Sequence, residues 1–330
     1  MSKNYKIAIV GSTGVVGRTV LKVLEEKNFR NCEYTLFSSS KSAGTRLQFL
    51  GETYVIQELK EDSFDSKFDY AIFCAGSAVA EKFAPIAVKN GCTVIDNSSF
   101  YRMNKDVPLV IPEVNPEMIF KNNGIIANPN CSTIQAVVAL KPLDNKYKIK
   151  RVVYSTYQAV SGAGKGGLDD LENGLNGFPP KKFPHPIVNN CIPHIDIFMS
   201  DGYTKEEHKM IDETRKILNR PLLPITSTAV RVPVKNCHSE SINVEFMNNF
   251  DIYDLKMLLQ NSPGITLVDD IDKNYYPLAT VANGTDDVYV GRVRRDLSVP
   301  YGINMWVVAD NLRKGAASNA VQILEILLKQ

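Results

Sequence analysis

The sequence predicts an α/β protein with two domains, on three observations. Over residues 1–128, short β-branched strands alternate with helical segments, a pattern typical of a parallel sheet covered by helices on both faces. Over residues 129–310, the strands are longer and alternate apolar with polar residues, which indicates an α+β domain built on an open, largely antiparallel sheet. The length of 330 residues is sufficient for two hydrophobic cores.

The composition is that of an ordinary globular protein, with 44% hydrophobic and 22% charged residues. The 38 basic and 36 acidic residues leave a formal charge of +2, which gives no reason to expect a nucleic acid or an anionic membrane as a partner. We find no apolar run long enough to span a bilayer and no signal-peptide pattern. The six cysteines include no C-x-x-C pair and are expected to be reduced thiols, so we expect a cytoplasmic protein.

A glycine-rich turn follows the first strand, Lys6–Val10, and leads into a segment with apolar residues at helical spacing. Glycine lets the backbone turn tightly and lets a pyrophosphate approach the N–H groups at a helix N-terminus. The spacing is G-x-x-G-x-x-G, so an ordinary strand-to-helix turn is the alternative. We interpret the turn as the phosphate-binding loop of a Rossmann-type dinucleotide-binding domain. Its residues are Gly11, Ser12, Thr13, Gly14, Val15, Val16 and Gly17.

The end of the second strand, Glu33–Phe37, indicates which dinucleotide is bound. Strands that favour NAD place a carboxylate there to bind the ribose hydroxyl groups. Here the strand runs into hydroxyl groups and a lysine, which can receive a 2′-phosphate, so NADP is predicted. A solvated polar loop is the alternative. The predicted ligands are Ser38, Ser39, Lys41 and Ser42.

Two further strands of the first domain, 70–75 and 93–96, end in small polar residues, with a helical segment, 78–88, between them. In a parallel sheet the ligand crevice lies at the carboxyl ends of the strands. Arg102 follows such an end, where an anionic substrate is expected, although an exposed surface arginine is the alternative.

Cys131 stands at the start of a predicted helix in the middle of the chain. The polar turn Asn128–Asn130 precedes it, and the apolar run Ala136–Leu140 follows. The free N–H groups and the positive dipole end at a helix N-terminus favour an anion, so a thiol there loses its proton more readily. We therefore predict a thiolate nucleophile, with a small buried apolar cysteine as the alternative.

Gln158 lies near the end of a long predicted strand, 150–160, where it either orients a reacting group or is simply half exposed. The residues that follow it, 161–167, are expected to form a flexible glycine loop. The Pro- and Asn-rich segment 176–193 is interpreted as an excursion or a dimer arm. The remaining predicted elements are a charged helix at 205–218, strands at 288–296 and 303–310, and a closing helix at 320–329.

Charged residues of the second domain supply four more candidates. Glu206 and Lys209 are three residues apart on a helix and share one face, which suits an anion-binding site or a solvated surface. Arg231 and His238 flank the joint between two alternating strands, where an arginine can grip a carboxylate and a histidine can move protons. A hairpin with an incidental histidine is the alternative. A zinc site formed by Cys191, His194, Cys237 and His238 is a further possibility. It is disfavoured, because two adjacent ligands such as Cys237 and His238 fit tetrahedral coordination poorly.

Together these motifs resemble the aspartate-semialdehyde dehydrogenase family, in order and over almost the whole chain. The matching segments are Gly11–Gly17, Asn128–Thr133, Gln158–Gly164, Arg231–Val234 with His238–Glu240, and Leu312–Ala317. The resemblance implies reduction of L-aspartyl 4-phosphate by NADPH to L-aspartate 4-semialdehyde and phosphate. That is the branch-point step toward lysine or diaminopimelate, methionine, threonine and isoleucine. It also implies a homodimer or homotetramer, and a carboxy-terminal helix, 311–330, that completes the nucleotide domain.

The resemblance further implies a role for each matching residue. Cys131 is the nucleophile, His238 the acid/base and Gln158 the group that orients the acyl intermediate. Arg231 and Glu206 match the residues that hold the substrate's carboxylate and amino group. The other implied contacts are Arg102 and Lys209 to the phosphate, Asn130 to the substrate, and Ser161, Gly162 and Asn311 to the cofactor.

One position departs from the family, since similar sequences often carry Arg where this chain has Lys41, a point charge without a planar fork. No metal is expected. Two other functions stay open, an N-acetylglutamyl-phosphate reductase and a non-catalytic nucleotide-binding relative. The presence of Cys131, Gln158, Arg231 and His238 argues against the second of these.

Overall fold

The computed structural model describes residues 4–329, and predictions that fall on residues 1–3 and 330 lie outside the described residues. Contacts within the chain divide it into two compact units. The first unit runs to Pro129 and includes the chain from Ala316 onward, and the second is Asn130–Gly315.

The first unit is built on a six-stranded sheet in the order β5-β2-β1-β6-β7-β8, and every neighbouring pair in it is parallel. Its strands are β1 (Tyr5–Val10), β2 (Cys32–Ser38), β5 (Gln57–Glu58), β6 (Tyr70–Phe73), β7 (Thr93–Asp96) and β8 (Ile125–Ala127). A separate antiparallel pair consists of β3 (Arg46–Phe49) and β4 (Glu52–Val55). The parallel sheet predicted for this part of the chain is confirmed.

Helices α1 (Val15–Glu26) and α2 (Ser77–Lys89) connect strands of this sheet. The apolar runs of the strands lie in the core, where Ile7, Ile9 and Ile72 are fully buried. Burial of such a side chain contributes about 1.5–3 kcal/mol, which explains why these strands are apolar on both faces.

The second unit contains a six-stranded mixed sheet in the order β10-β9-β11-β14-β13-β12. The pairs β9–β11, β11–β14 and β13–β14 are antiparallel, whereas β9–β10 and β12–β13 are parallel. Its strands are β9 (Ile149–Gln158), β10 (Ile225–Arg231), β11 (His238–Phe246), β12 (Ile265–Leu267), β13 (Val288–Asp296) and β14 (Gly302–Ala309). Its helices are α3 (Cys131–Tyr147), α4 (Lys165–Leu175), α5 (Lys205–Leu218), α6 (Ile252–Gln260) and α7 (Ala279–Ala282).

One face of this sheet is packed and the other is open. Residues of β11 alternate between buried and half-buried, from buried His238 to buried Phe246. Helices α3 and α5 contribute to the packed side, where α3 contacts β11 and α5 contacts β10. The prediction of an open, largely antiparallel sheet is confirmed.

For the second unit, the structure excludes one alternative and shows one local prediction to be wrong. Residues 225–246 do not form a hairpin, because β10 and β11 each pair with β9 from opposite sides. Residues 161–167 are not a loop throughout, because a 3₁₀ turn, Val160–Ala163, leads directly into α4. Close packing, rather than backbone flexibility, requires glycine at position 167, since a β-carbon built on it would lie 2.3 Å from the carbonyl oxygen of Val160.

The chain closes in the first unit. A π-helical turn, Arg313–Ala317, precedes α8 (Ser318–Leu328), whose side chains Val321 and Leu324 are fully buried in the same core as Ile7 of β1. This helix contacts α1 and β7. Within residues 4–329, we find no helix that is both long enough and apolar enough to cross a bilayer.

Candidate active site

Cys131 is the first residue of α3, as predicted. Asn130 caps this helix, because its Oδ1 atom accepts hydrogen bonds from the N–H groups of Ser132 at 2.9 Å and Thr133 at 3.3 Å. The backbone of Gly315 approaches closely, since a β-carbon built on it would lie 2.9 Å from Cβ of Cys131. Because Gly315 has no side chain, the turn after β14 can pack directly against Cys131.

A buried carboxylate, Glu206, joins three other candidates into one network. Its Oε1 atom accepts from Nδ2 of Asn130 at 2.9 Å and Nε2 of Gln158 at 3.2 Å, and its Oε2 atom accepts from Nζ of Lys209 at 3.1 Å. Burial acts to raise the pKa of Glu206, but the charge of Lys209 and these hydrogen bonds outweigh it and lower the pKa to about 2. Glu206 therefore stays ionised at neutral pH.

Lys209 also binds Asp196, whose Oδ2 atom lies 2.7 Å from its Nζ atom. Burial acts to lower the pKa of Lys209, but Glu206 and Asp196 outweigh it and raise the pKa. Two carboxylates and one ammonium thus lie together, and the ammonium has a third N–H for another acceptor.

Arg231 lies directly beside Gln158, with which it is paired in the β9–β10 register. It is 5% exposed, and its Nη1 atom donates to the carbonyl oxygen of Ala159 at 2.7 Å. Its Nε atom is buried and has no hydrogen-bond partner among the described residues. Burial lowers the pKa of Arg231, and the charges of Glu206 and Cys131 act in the opposite direction. The guanidinium therefore has a donor left for a ligand close to Cys131.

His238, the first residue of β11, is fully buried. The N–H of Ala159 donates to its Nδ1 atom at 3.0 Å, so the neutral ring carries its proton on Nε2. Burial, together with the charge of Arg231, lowers the pKa of His238 to about 3. Its Nε2 atom has no partner among residues 4–329, and a β-carbon built on Gly162 would lie 3.2 Å from it. That β-carbon position is also 3.0 Å from Nη1 of Arg231, so any side chain at Gly162 would fill the space between the imidazole and the guanidinium.

Two of the three residues predicted for the cofactor in the second unit are hydrogen-bonded to each other. Nδ2 of Asn311 donates to Oγ of Ser161 at 3.0 Å, and Oδ1 of Asn311 accepts from the N–H of Cys237 at 2.9 Å. Asn311 thus ties the turn after β14 to the turn after β9.

The glycine turn of the first unit has the close packing that a Rossmann-type loop requires. Gly11 has φ +83°, and a β-carbon on it would lie 2.8 Å from the carbonyl group of Cys74. A β-carbon on Gly17 would lie 2.2 Å from the carbonyl oxygen of Gly11, which brings the start of α1 against the turn. Gly14 is the N-cap of α1, and Val15 is its first residue.

Hydroxyl groups meet at the end of β2. Oγ1 of Thr13 lies 2.7 Å from Oγ of Ser38 and 3.5 Å from Oγ of Ser42. Ser12 is buried against the carbonyl oxygen of Phe37 instead, so it holds the turn to β2. Ser39 and Lys41, which follow in the chain, are exposed, whereas Val16 of α1 is half-buried against the core.

Arg102 lies in the loop after β7 of the first unit and is not an exposed surface residue. Its Nε atom donates to the carbonyl oxygen of Asn128 and its Nη2 atom to that of Asn97, both at 2.9 Å. Among the described residues, no group of three or more His, Cys, Asp and Glu side chains is arranged to hold a metal ion.

Comparison with known proteins gives both units the same assignment. Residues 6–122 match the family model described as semialdehyde dehydrogenase, NAD binding domain, and residues 140–314 match that described as semialdehyde dehydrogenase, dimerisation domain. The chain is 51% identical to the aspartate-semialdehyde dehydrogenase of Aquifex aeolicus, over 99% of this chain and 98% of that protein. It belongs to the aspartate-semialdehyde dehydrogenase family.

Solved structures agree with this. The crystal structure of aspartate semialdehyde dehydrogenase II from Vibrio cholerae complexed with ASA has a TM-score of 0.95 and 47% identity, covering 100% of this chain and 99% of that one. The aspartate semialdehyde dehydrogenase of Candida albicans with NADP has a TM-score of 0.79 and 27% identity, covering 98% of each chain. The predicted family and fold are confirmed, and the chain is an oxidoreductase with a nicotinamide dinucleotide-binding domain and a dimerisation domain. The two other functions are not favoured.

In this aspartate-semialdehyde dehydrogenase family member, the second unit brings seven predicted residues together. They are Cys131, Asn130, Gln158, Glu206, Lys209, Arg231 and His238. The glycine turn and Arg102 lie in the first unit.

The sequence prediction missed buried partners of these residues. Glu213 accepts a hydrogen bond from the N–H of Asn130 at 2.6 Å. It lies two helical turns after Glu206 on α5, and this spacing could have indicated that the two carboxylates share one face of the helix. Nε2 of Gln135, one turn after Cys131, donates to the carbonyl oxygen of His238 at 3.2 Å. Glu240 is fully buried, and neither carboxyl oxygen has a hydrogen-bond partner among the described residues.

Proposed function

We propose that this enzyme catalyses the NADPH-dependent reductive dephosphorylation of L-aspartyl 4-phosphate to L-aspartate 4-semialdehyde and phosphate, through a thioester on Cys131. The observation that carries the proposal is the position of Cys131 at the N-terminus of α3, close enough to Arg231 for their charges to interact. A helix N-terminus and a nearby guanidinium both favour the thiolate.

Glu206 and Arg231 are proposed to bind the amino-acid part of the substrate. Glu206 is ionised, so it can accept hydrogen bonds from the substrate ammonium group. Arg231 has an unused Nε donor beside Gln158 and offers the planar fork that suits a carboxylate. The two charges of opposite sign select a substrate that carries both an ammonium and a carboxylate.

Lys209 and Arg102 are proposed to bind the phosphate. Nζ of Lys209 uses two of its three N–H groups on Glu206 and Asp196, which leaves one for a phosphate oxygen. Arg102 is fixed by two backbone carbonyl oxygens, so its guanidinium is oriented before any ligand arrives.

The thiolate of Cys131 attacks the acyl carbon, the bond from that carbon to the phosphate oxygen breaks, and phosphate leaves a thioester behind. N–H groups at the start of α3 stabilise the oxyanion that develops, and Gln158 orients the acyl group. When bound, NADPH would supply a hydride to the acyl carbon. The bond from that carbon to Sγ of Cys131 then breaks, so the aldehyde leaves and the thiolate is restored.

His238 is proposed as the acid/base of the reaction. Its Nδ1 atom already accepts from the N–H of Ala159, so the proton that His238 can donate to the reacting group is the one on Nε2. That atom lies beside Gly162 and has no other partner in the described chain, which leaves it available to the substrate.

NADP is the proposed cofactor, and two observations support it. The turn at Gly11 and Gly17 has no room for side chains, which suits close approach of a pyrophosphate. The end of β2 offers Ser38, Ser42 and Lys41 rather than a carboxylate, which suits a 2′-phosphate. In the second unit, Ser161, Gly162 and Asn311 are proposed to contact the nicotinamide end.

A homodimer or homotetramer is proposed, with the open face of the second sheet as the contact surface. On that face the ring of Tyr157 lies 5.5 Å from the ring of Trp306, and Tyr157 is exposed. Aromatic side chains that are exposed or half-buried at a surface are typical of an interface. The cytoplasm is proposed as the compartment, because the reaction requires a reduced Cys131.

The experiment that tests the function is a phosphate-dependent assay in the reverse direction, with aspartate semialdehyde and with NADP and NAD side by side. We expect NADPH formation that requires phosphate and a lower KM for NADP than for NAD. N-acetylglutamate semialdehyde is the matched comparison substrate. Turnover of that aldehyde in preference to aspartate semialdehyde would contradict the proposal.

A further inference from the structure

The proline-rich segment 176–193 is pinned to α4 by one carboxylate. Asp170 of α4 accepts hydrogen bonds from the backbone N–H groups of Lys181, Lys182 and Phe183, each at 2.8 Å. Three donors on one buried carboxylate fix the backbone of these residues, because hydrogen bonds to a charged acceptor are stronger than those to a neutral one. The segment is therefore held in place at the position of Phe183.

Phe183 packs into the second unit on two sides. Its ring joins the apolar cluster of Val160, Ile187 and Ile192, and its Cζ atom lies 3.1 Å from the position of a β-carbon built on Gly167. The absence of a side chain at Gly167 thus makes room for the ring.

The ring of Phe183 also lies against Arg231. The centroid of the ring is 5.8 Å from Cζ of the guanidinium, within the range of a cation–π contact. Nη1 of Arg231 is fixed by the carbonyl oxygen of Ala159, while Nε is unused. The Phe183 ring on one side and the hydrogen bond from Nη1 to Ala159 together restrict the plane of the guanidinium.

On the basis of the proposed function, we propose that Phe183 is a positioning residue for Arg231 and that Asp170 holds Phe183 in place. The ring keeps water from the guanidinium and fixes the plane in which its N–H groups meet the substrate carboxylate. A carboxylate binds an arginine fork best in that plane. The segment 176–193 thus contributes to recognition of the amino-acid part of the substrate, and not to the phosphate or the cofactor.

The test compares Phe183→Leu and Asp170→Asn with the control Asp169→Asn, the neighbouring carboxylate on α4. Leucine keeps the apolar packing but removes the ring, so we expect KM for aspartate semialdehyde to rise about three- to tenfold. In Phe183→Leu, we expect kcat, the KM for phosphate and the melting temperature to stay close to wild type. Asp170→Asn should raise the KM for aspartate semialdehyde in the same way, and Asp169→Asn should behave as wild type.

A second readout needs no substrate. Phenylglyoxal modifies accessible arginines, and peptide mapping gives the rate at Arg231. We expect faster modification in Phe183→Leu and Asp170→Asn than in Asp169→Asn. Lack of wild-type turnover of aspartate semialdehyde would refute the proposed function, whereas unchanged KM and modification rates in Phe183→Leu would refute the role of Phe183. A fall in melting temperature with equal losses in every kinetic constant would also refute it, since that is a structural effect only.

Discussion

The Nδ1 atom of His238 accepts a hydrogen bond from the backbone N–H of Ala159 at 3.0 Å. The bond selects the ring tautomer with its proton on Nε2, and burial, together with the charge of Arg231, lowers the pKa of His238 to about 3. An ordinary histidine takes up a proton near pH 6.5, so the folded and unfolded proteins differ in protonation between about pH 3 and 6.5.

The first prediction concerns stability at low pH. The unfolded chain binds a proton at His238 below about pH 6.5 and the folded chain does not, so stability falls as the pH falls through that range. In His238→Gln this loss is absent, and the stability of the wild type relative to this variant should fall by roughly 1.4 kcal/mol per pH unit from pH 6.5 to 4.5. Urea titrations of both proteins at several pH values measure it. Parallel curves would mean that His238 titrates normally.

The second prediction is that Glu240 makes stability depend on pH in the opposite direction. Burial raises the pKa of its carboxyl well above the usual range, and the amide of Gln135, which lies against it, offsets only part of this. The unfolded chain releases this proton near pH 4.5 while the folded chain keeps it, so stability decreases as the pH rises above about 4.5.

The variant Glu240→Gln carries an uncharged isostere, so we expect its stability relative to wild type to increase with pH. Melting temperatures between pH 5 and 8 measure this difference, and Glu245→Gln, a half-buried position on the same strand, is the control. A difference that is constant with pH would show that the carboxyl is ionised in the folded protein.

Local residue patterns were sufficient to predict much of the fold. The turn from Gly11 to Gly17 is recognisable because a strand precedes it and a helix follows it, and Cys131 because a polar turn and an apolar helix flank it. Each of these depends on interactions within a few residues, which the sequence displays directly.

Contacts between distant segments were not predictable. Glu206 meets Gln158 across 48 residues and Asn130 across 76 residues, and nothing in the spacing specifies either contact. The same holds for β10, which pairs with β9 rather than with its neighbour β11. Such pairings depend on the packing of the whole domain, and sequence periodicity carries no information about partners.

A third prediction tests the cofactor preference. Lys41 is an exposed cation just after the end of β2. Lys41→Ala should raise the KM for NADP about three- to tenfold, because it removes one exposed charge contact, and should leave the KM for NAD unchanged. Lys41→Arg should restore or lower the KM for NADP, because a planar fork binds a phosphate at two points. Lys105→Ala, an exposed lysine after Arg102, is the control. Equal changes for both cofactors would refute a contact with the 2′-phosphate.

The central claim is that Cys131 carries the acyl group. In the presence of NADP and aspartate semialdehyde but without phosphate, the wild type should accumulate an aspartyl thioester, because the acceptor that releases it is missing. Mass spectrometry of the peptide that contains Cys131 measures this directly. We expect one added aspartyl group on that peptide in the wild type and none in Cys131→Ala, whose melting temperature should be near normal. An adduct on another residue, or phosphate-dependent turnover by Cys131→Ala, would contradict the account.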